Sequence, residues 1–208
     1  MAGATPAFSD NERSPRWLLV IGALAAWVLF GAFLIGAFAL FRTGSMPARN
    51  WLIVLFDLNL RPSLSATSAL GAFSLLDLVL MLLVGLLVAA MYPALSEKNK
   101  AWAAIAVTLP FLGAAIFIAT SIAGRSAVLL AALISATLAL RTRFGSQLGA
   151  AAGILASILL LIVGDFGTAA FPPSALIGYL IGIGYFLWTA WLFLLAMEMG
   201  RRARIAAA

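Results

Sequence analysis

Residues 70–92 read LGAFSLLDLVLMLLVGLLVAAMY, and this stretch decides the fold. As a helix it would be about 34 Å long, enough to cross the hydrocarbon core of a bilayer, which is about 30 Å thick. Its single charge, Asp77, lies well inside the apolar run. An ionisable group at that depth needs a charged partner or water. The stretch therefore predicts a transmembrane helix whose one charge must be satisfied by another part of the chain.

The whole chain has the composition of a membrane protein. Of its 208 residues, 64% are hydrophobic and only 10% are charged, and the mean hydropathy is +1.12. A soluble domain of this size could not bury that much apolar surface, so the sequence predicts a polytopic membrane protein. Its apolar runs are continuous and lack the alternating polarity of barrel strands, which predicts an all-α fold.

The sequence contains no cysteine and no histidine. Disulfides, thiolate nucleophiles, His-ligated metals and a histidine general base are therefore excluded. A serine hydrolase would need another base, and the two lysines, Lys98 and Lys100, lie in a short polar turn. We expect no catalytic residue, no metal site and no cofactor. A membrane enzyme that uses neither His nor Cys is the remaining enzymatic alternative.

Six apolar runs predict a bundle of six transmembrane helices in a single domain, residues 17–200. A flexible tail, residues 1–16, precedes this domain, and a basic tail, residues 201–208, follows it. Pro93 is expected to end the second span, and Pro110 to bend the third. The predicted spans are residues 17–41, 70–92, 101–122, 121–140, 147–166 and 175–199.

The fourth apolar run is unusually short. As a helix, Ser126 to Leu140 would be about 22 Å long, which is less than the hydrocarbon thickness. Arg141 follows and must stay at the interface, so the helix has to extend backwards to about Ser121. Arg125 then lies inside the span, about 6 Å below the other membrane surface.

Between the first and second spans, residues 51–60 read WLIVLFDLNL. A helix of that length rises only about 15 Å, too little to cross the hydrocarbon core. This segment, Trp51 to Leu60, is therefore predicted to be a short interfacial helix lying on the bundle or a re-entrant segment. Both interpretations remain open.

Asp77 and Arg125 are predicted to face each other in the outer half of the membrane. They lie at similar depths from the outer surface, where neither can face lipid. Such a pair either fixes the helix register alone or lines an outward-facing polar cavity for a small solute or an ion. The candidate polar cluster comprises Asp77, Arg125, Asp165, Arg61 and Asp57.

Small residues recur at every fourth position of the fourth, fifth and sixth spans. Such stripes let helix backbones approach closely in lipid, either within one bundle or across a homodimer. The residues are Ala127, Ala131, Ser135 and Ala139 in the fourth span, Gly149, Gly153 and Ser157 in the fifth, and Ser174, Gly178 and Gly182 in the sixth.

Basic residues concentrate on one predicted side of the membrane. Nine lysines and arginines lie in the two tails and in the turns after the second and fourth spans, against four on the other side. Under the positive-inside rule, both termini are expected in the cytoplasm and the protein in the cytoplasmic membrane. Arg201 and Arg202 follow Glu198 at helical spacing, which predicts a local ion pair. No basic stripe with interleaved aromatics occurs, so we expect no nucleic-acid partner.

Three stretches resemble small multi-pass bacterial membrane proteins of unknown function, a family of the domain-of-unknown-function type. They are FGSQLGAAAGILAS at residues 144–157, WLFLLAMEMGRR at residues 191–202, and the run from Asp77 through LVLMLLVGLL to Tyr92 and Pro93. The resemblance is best in the last third of the chain. It implies a six-helix bundle in the cytoplasmic membrane, and it supplies no activity and no functional residues.

These observations favour an integral membrane protein that acts as a structural or accessory subunit without catalysis. The alternative is binding or transport of a small solute or an ion through an outward-facing cavity around Asp77, Arg125 and Asp165. The expected partners are the lipid bilayer and either a second copy of the chain or another membrane protein.

Reporter fusions test the predicted orientation. A reporter that is active only in the cytoplasm should give a signal when fused after Lys100 and none when fused after Phe171, because the six-span topology places these positions on opposite sides. A cytoplasmic signal from the second fusion would contradict that topology.

Overall fold

The computed structural model describes the backbone of residues 15–43, 74–120, 124–162 and 175–206. Within these ranges it describes the side chains of residues 15–34, 78–118, 126–162, 180 and 182–206. The described residues are 93% helical and contain no strand. The prediction of an all-α fold is therefore confirmed.

Six helices form this part of the chain. They are α1, Arg16–Thr43; α2, Ser74–Ser96; α3, Lys100–Thr120; α4, Gly124–Thr142; α5, Gln147–Leu159; and α6, Ala175–Ile205. Four stretches are long and apolar enough to cross a membrane: Arg16–Leu34, Leu78–Ser96, Lys100–Ile118 and Gly182–Ile205. α4 and α5 contribute shorter apolar stretches, Ser126–Thr142 and Gln147–Ile162. The chain is thus a helical membrane protein with four candidate spans in its described part.

Side-chain caps define the starts of two helices. The side-chain oxygen of Asn99 accepts a hydrogen bond from the backbone N–H of Trp102 at 3.1 Å, where α3 begins. The hydroxyl of Ser146 accepts one from the backbone N–H of Gly149 at 3.0 Å, where α5 begins. Each cap satisfies a donor that the first turn of a helix leaves without an intrahelical partner.

Two helices extend beyond the ends predicted for their spans. α2 continues through Pro93 to Ser96, because the φ of proline is compatible with a helix and the ring removes only one backbone hydrogen bond there. The hydroxyl of Ser96 donates to the carbonyl of Pro93 at 3.0 Å. α6 continues to Ile205, so the arginines assigned to a tail lie in its last turns, where cations interact favourably with the helix dipole. α3 runs through Pro110.

Several predictions concern residues outside the described part of the chain. These are the tail before residue 15, the interfacial or re-entrant segment at residues 51–60, and the end of the fifth span beyond residue 162. Asp57, Arg61 and Asp165 belong to the same undescribed ranges.

The six described helices close into a ring. Each packs against the next in sequence, α6 packs back against α1, and α2 also contacts α4 across the ring. Large apolar side chains fill the interior, and burial of this kind brings the dispersion contacts that hold helices together in lipid. The largest fully buried ones include Leu29, Met81, Leu87, Met91, Leu95, Trp191, Leu192 and Met199.

A glycine of α1 permits the contact that closes the ring. A Cβ added at Gly22 would lie 2.5 Å from the Cβ of Ala90 in α2 and 2.7 Å from the Sδ of Met199 in α6. Both distances are shorter than real Cβ contacts, so any side chain at this position would push the helices apart. α1, α2 and α6 therefore meet at a point that only glycine allows.

Glycines of α5 serve the same purpose against α6. A Cβ added at Gly149 would lie 3.2 Å from the Cδ1 of Leu194, and one at Gly153 would lie 2.8 Å from the Nε1 of Trp191. Trp191 is almost fully buried, so its indole fills the space that a side chain at Gly153 would need. The small-residue stripe of the fifth span thus packs within the bundle, which confirms one of its two interpretations.

Gly153→Ala should destabilise the protein by about 1–3 kcal/mol, because overpacking against a rigid, buried indole forces the helices apart. Gly182→Ala is the matched control, since nothing lies within 4 Å of a Cβ added there. Thermal unfolding midpoints in detergent should fall for the first variant and hold or rise for the second. Equal midpoints for the two would show that α5 and α6 do not need this close contact.

Candidate functional site

The backbone places two of the predicted site residues at one end of the bundle. Asp77 lies in the first turn of α2 and Arg125 in the first turn of α4. α3 reverses the chain between these helices, so both begin at the same end, and the two helices contact each other. The side chains of Asp77 and Arg125 lie outside the described residues. Their pairing therefore stays a prediction.

The charged side chains that the structure describes all lie at the opposite end, which we call the basic end. They occupy the start of α1, the α2–α3 link, the α4–α5 link with its flanking turns, and the last turns of α6. Eight are basic and two are acidic: Arg16, Lys98, Lys100, Arg141, Arg143, Arg201, Arg202 and Arg204 against Glu97 and Glu198.

Exposed aromatic residues surround the same end. Trp17 and Trp102 lie in the first turns of α1 and α3, and Tyr92 lies in the last turns of α2. Their exposed fractions are 63%, 51% and 37%, respectively. Tryptophan and tyrosine prefer the level of the lipid headgroups, because one part of each ring system is apolar and the other forms hydrogen bonds. The aromatic residues and the charges together mark the basic end as a membrane–water interface.

Glu198 joins two arginines near the end of α6. Its Oε1 accepts from the Nη2 of Arg201 at 2.8 Å and from the Nε of Arg202 at 2.7 Å. Its Oε2 accepts from the Nε of Arg201 at 3.0 Å. The predicted local ion pair is confirmed, and its forked geometry with Arg201 is the stronger kind of charge-assisted contact.

The α4–α5 link, residues 143–146, makes a tight reversal at the basic end. The backbone N–H of Phe144 donates to the carbonyl of Ala139 at 3.0 Å, and Arg143 adopts a left-handed φ of 54°. This is the hydrogen bond of a Schellman motif, whose left-handed position is usually glycine. Gly145, with φ of 85°, and the Ser146 cap then start α5.

The end of α6 docks on this link. The guanidinium carbon of Arg202 lies 4.3 Å from the ring centroid of Phe144, within the range of a cation–π contact. Phe144 is buried, and the Cγ of Glu198 lies 3.6 Å from where a Cβ on Gly145 would be. Glu198 and Arg202 thus bind both to each other and to the link.

The sequence predicted the ion pair of Glu198 with the arginines, but it did not predict the contact of that pair with the link. The available signal was the order Phe144, Gly145 and Ser146 directly after an arginine-rich helix end, which is typical of a helix stop followed by an N-cap. The pairing of this turn with α6, however, depends on helix packing between residues distant in sequence.

Below the link, the described interior is apolar. The link, α5 and α6 line a cavity of about 10 Å³, room for about one water molecule. The buried hydroxyls of Ser135 and Ser157 donate to carbonyls of their own helices at 2.7 and 2.8 Å. Within the described part of the chain, the buried indole N–H groups of Trp188 and Trp191 have no hydrogen-bond partner. No cluster of three or more acidic metal ligands occurs among the described residues.

No protein-family model, curated protein or solved structure matches this chain. The resemblance to multi-pass bacterial membrane proteins of unknown function therefore stays a prediction.

Arg143→Gly should stabilise the purified protein by about 1 kcal/mol, because glycine adopts the left-handed conformation without the steric cost that arginine has there. Arg141→Gly removes the same charge from a helical position and should destabilise by about 1 kcal/mol. Thermal unfolding midpoints in a neutral detergent compare the two. A lower midpoint for Arg143→Gly would mean that the arginine side chain stabilises the link by more than its backbone strain.

Proposed function

We propose that this chain is a non-enzymatic integral membrane protein that serves as a structural or accessory subunit. The observation that carries the proposal is the closed ring of helices around an apolar interior. Large side chains from several helices fill that interior, and the buried hydroxyls of Ser135 and Ser157 are bonded to their own helices. A path for a polar solute would need polar groups along its wall. The described core instead consists mainly of packed apolar side chains.

The proposal includes six transmembrane helices. α4 and α5 are shorter than the four candidate spans, yet they occupy adjacent places in the ring between α3 and α6. Apolar helices at those positions would be enclosed by the same lipid as their neighbours. Hydrophobic mismatch of a few ångströms is accommodated by local thinning of the bilayer.

The proposal also places both termini in the cytoplasm of the cytoplasmic membrane. The start of α1 and the end of α6 both lie at the basic end, beside the α2–α3 and α4–α5 links. An excess of arginine and lysine marks the cytoplasmic face of membrane proteins. The exposed aromatic residues at this end support the same placement of the interface.

A second candidate function is binding or transport of a small solute or an ion at the end opposite the basic end. It is favoured by the position of Asp77 and Arg125 in the first turns of two contacting helices. A carboxylate and a guanidinium at adjacent helix starts could bind a small charged or polar molecule, with Asp165 as a further ligand.

Substitution of Asp77 and Arg125 distinguishes the structural function from the solute-binding function. If the pair is structural, Asp77→Asn alone should destabilise by about 3 kcal/mol, because it leaves the arginine without its counterion. Asp77→Asn combined with Arg125→Gln should then restore most of the stability. Thermal unfolding in detergent measures both effects.

A screen of the wild-type protein, the Asp77→Asn variant and the double variant against inorganic ions and small metabolites completes the test. The structural proposal expects no saturable stabilisation of the wild-type protein by any of them. A ligand that raises the wild-type unfolding midpoint, and fails to do so in the stable double variant, would support the solute-binding function instead.

A further inference from the structure

We propose that the basic end binds the phosphate of an anionic phospholipid at one particular corner. This arginine corner consists of Arg141, Arg143, Arg201 and Arg202, which belong to the end of α4, the α4–α5 link and the last turns of α6. The proposal concerns a site distinct from Asp77 and Arg125, and it holds for a structural subunit and a solute-binding protein alike.

Charge is distributed unevenly around the basic end. The arginine corner holds four arginines against one acidic residue, Glu198. Around the α2–α3 link, residues 97–99, lie two lysines, Lys98 and Lys100, and one acidic residue, Glu97. An anionic headgroup that diffuses along this rim therefore meets its strongest attraction at the arginine corner.

The chemistry of the corner favours phosphate. Guanidinium groups bind phosphate oxygens through two parallel N–H donors, whereas a lysine ammonium acts as a point charge. Among the described hydrogen bonds, Glu198 takes only the Nε–H of Arg202. The Nη groups of Arg202 therefore retain their donors for another acceptor, on a side chain that is 35% exposed.

Arg202 is also held in place before any ligand arrives. Its Nε is bonded to Glu198 at 2.7 Å and its guanidinium lies over Phe144 at 4.3 Å. Phe144 directly follows Arg143, so the docking contact brings the guanidinium of α6 to the link that carries Arg143. A side chain already restrained in this way loses less conformational entropy on binding.

Position in the membrane favours a lipid over a soluble anion. The exposed ring systems of Trp17, Tyr92 and Trp102 place the basic end at headgroup level. Leu148, in the first turn of α5 just after the link, is 81% exposed. The arginines and Leu148 thus offer a cationic surface for a phosphate beside an apolar surface for an acyl chain.

Thermal unfolding of the full-length protein in a neutral detergent tests the proposal. Titration with phosphatidylglycerol should raise the unfolding midpoint saturably, and phosphatidylcholine or inorganic phosphate should not. The variant R141Q/R143Q should weaken the apparent affinity for phosphatidylglycerol about 25-fold, which corresponds to about fivefold for each arginine removed. The charge-matched control K98Q/K100Q should change it by less than about twofold, since its lysines lie at another part of the rim.

Three results would contradict a phospholipid site at the arginine corner. The first is equal weakening by the two double variants, which would indicate a diffuse surface field. The second is equal stabilisation of the wild-type protein by inorganic phosphate, which would indicate a site for free anions. The third is an unchanged lipid affinity in R141Q/R143Q, provided that this variant still unfolds cooperatively and elutes as a single species in gel filtration.

Discussion

Close contact at two glycines holds the bundle together. Gly22 lets α1 approach α2 and α6, and Gly153 lets the indole of Trp191 lie against the backbone of α5. In lipid, apolar side chains gain little by leaving one apolar environment for another, so association depends on tight packing of this kind. The close contacts of α1 with α2 and α6, and of α5 with α6, depend on these two approaches.

The ring separates the chain's polar chemistry into two ends. At the basic end, charges are held by specific contacts: Glu198 bonds two arginines, and Arg202 packs on Phe144. At the other end, the backbone brings the starts of α2 and α4 together, with Asp77 and Arg125 in their first turns. Between the ends lies a mostly apolar core, in which the hydroxyls of Ser135 and Ser157 bond to their own helices.

The α4–α5 link combines backbone strain and a docking contact at neighbouring residues. Arg143 occupies a left-handed position at which glycine would be more stable. The next residue, Phe144, is buried and provides the ring on which Arg202 is docked.

The sequence by itself determined the class of protein, the positions of the helices and many of their ends. The reason is that a long apolar run in lipid must satisfy its backbone hydrogen bonds within one helix. It also determined the Glu198 ion pair, which is local to one helix turn. The continuation of α2 through Pro93 was not predictable, since a proline near a helix end loses only one hydrogen bond. Tertiary structure alone decided which stripe faces which helix, that α6 closes on α1, and that Arg202 docks on Phe144. These contacts join residues far apart in the chain, and their energy depends on atomic fit that composition and periodicity do not contain.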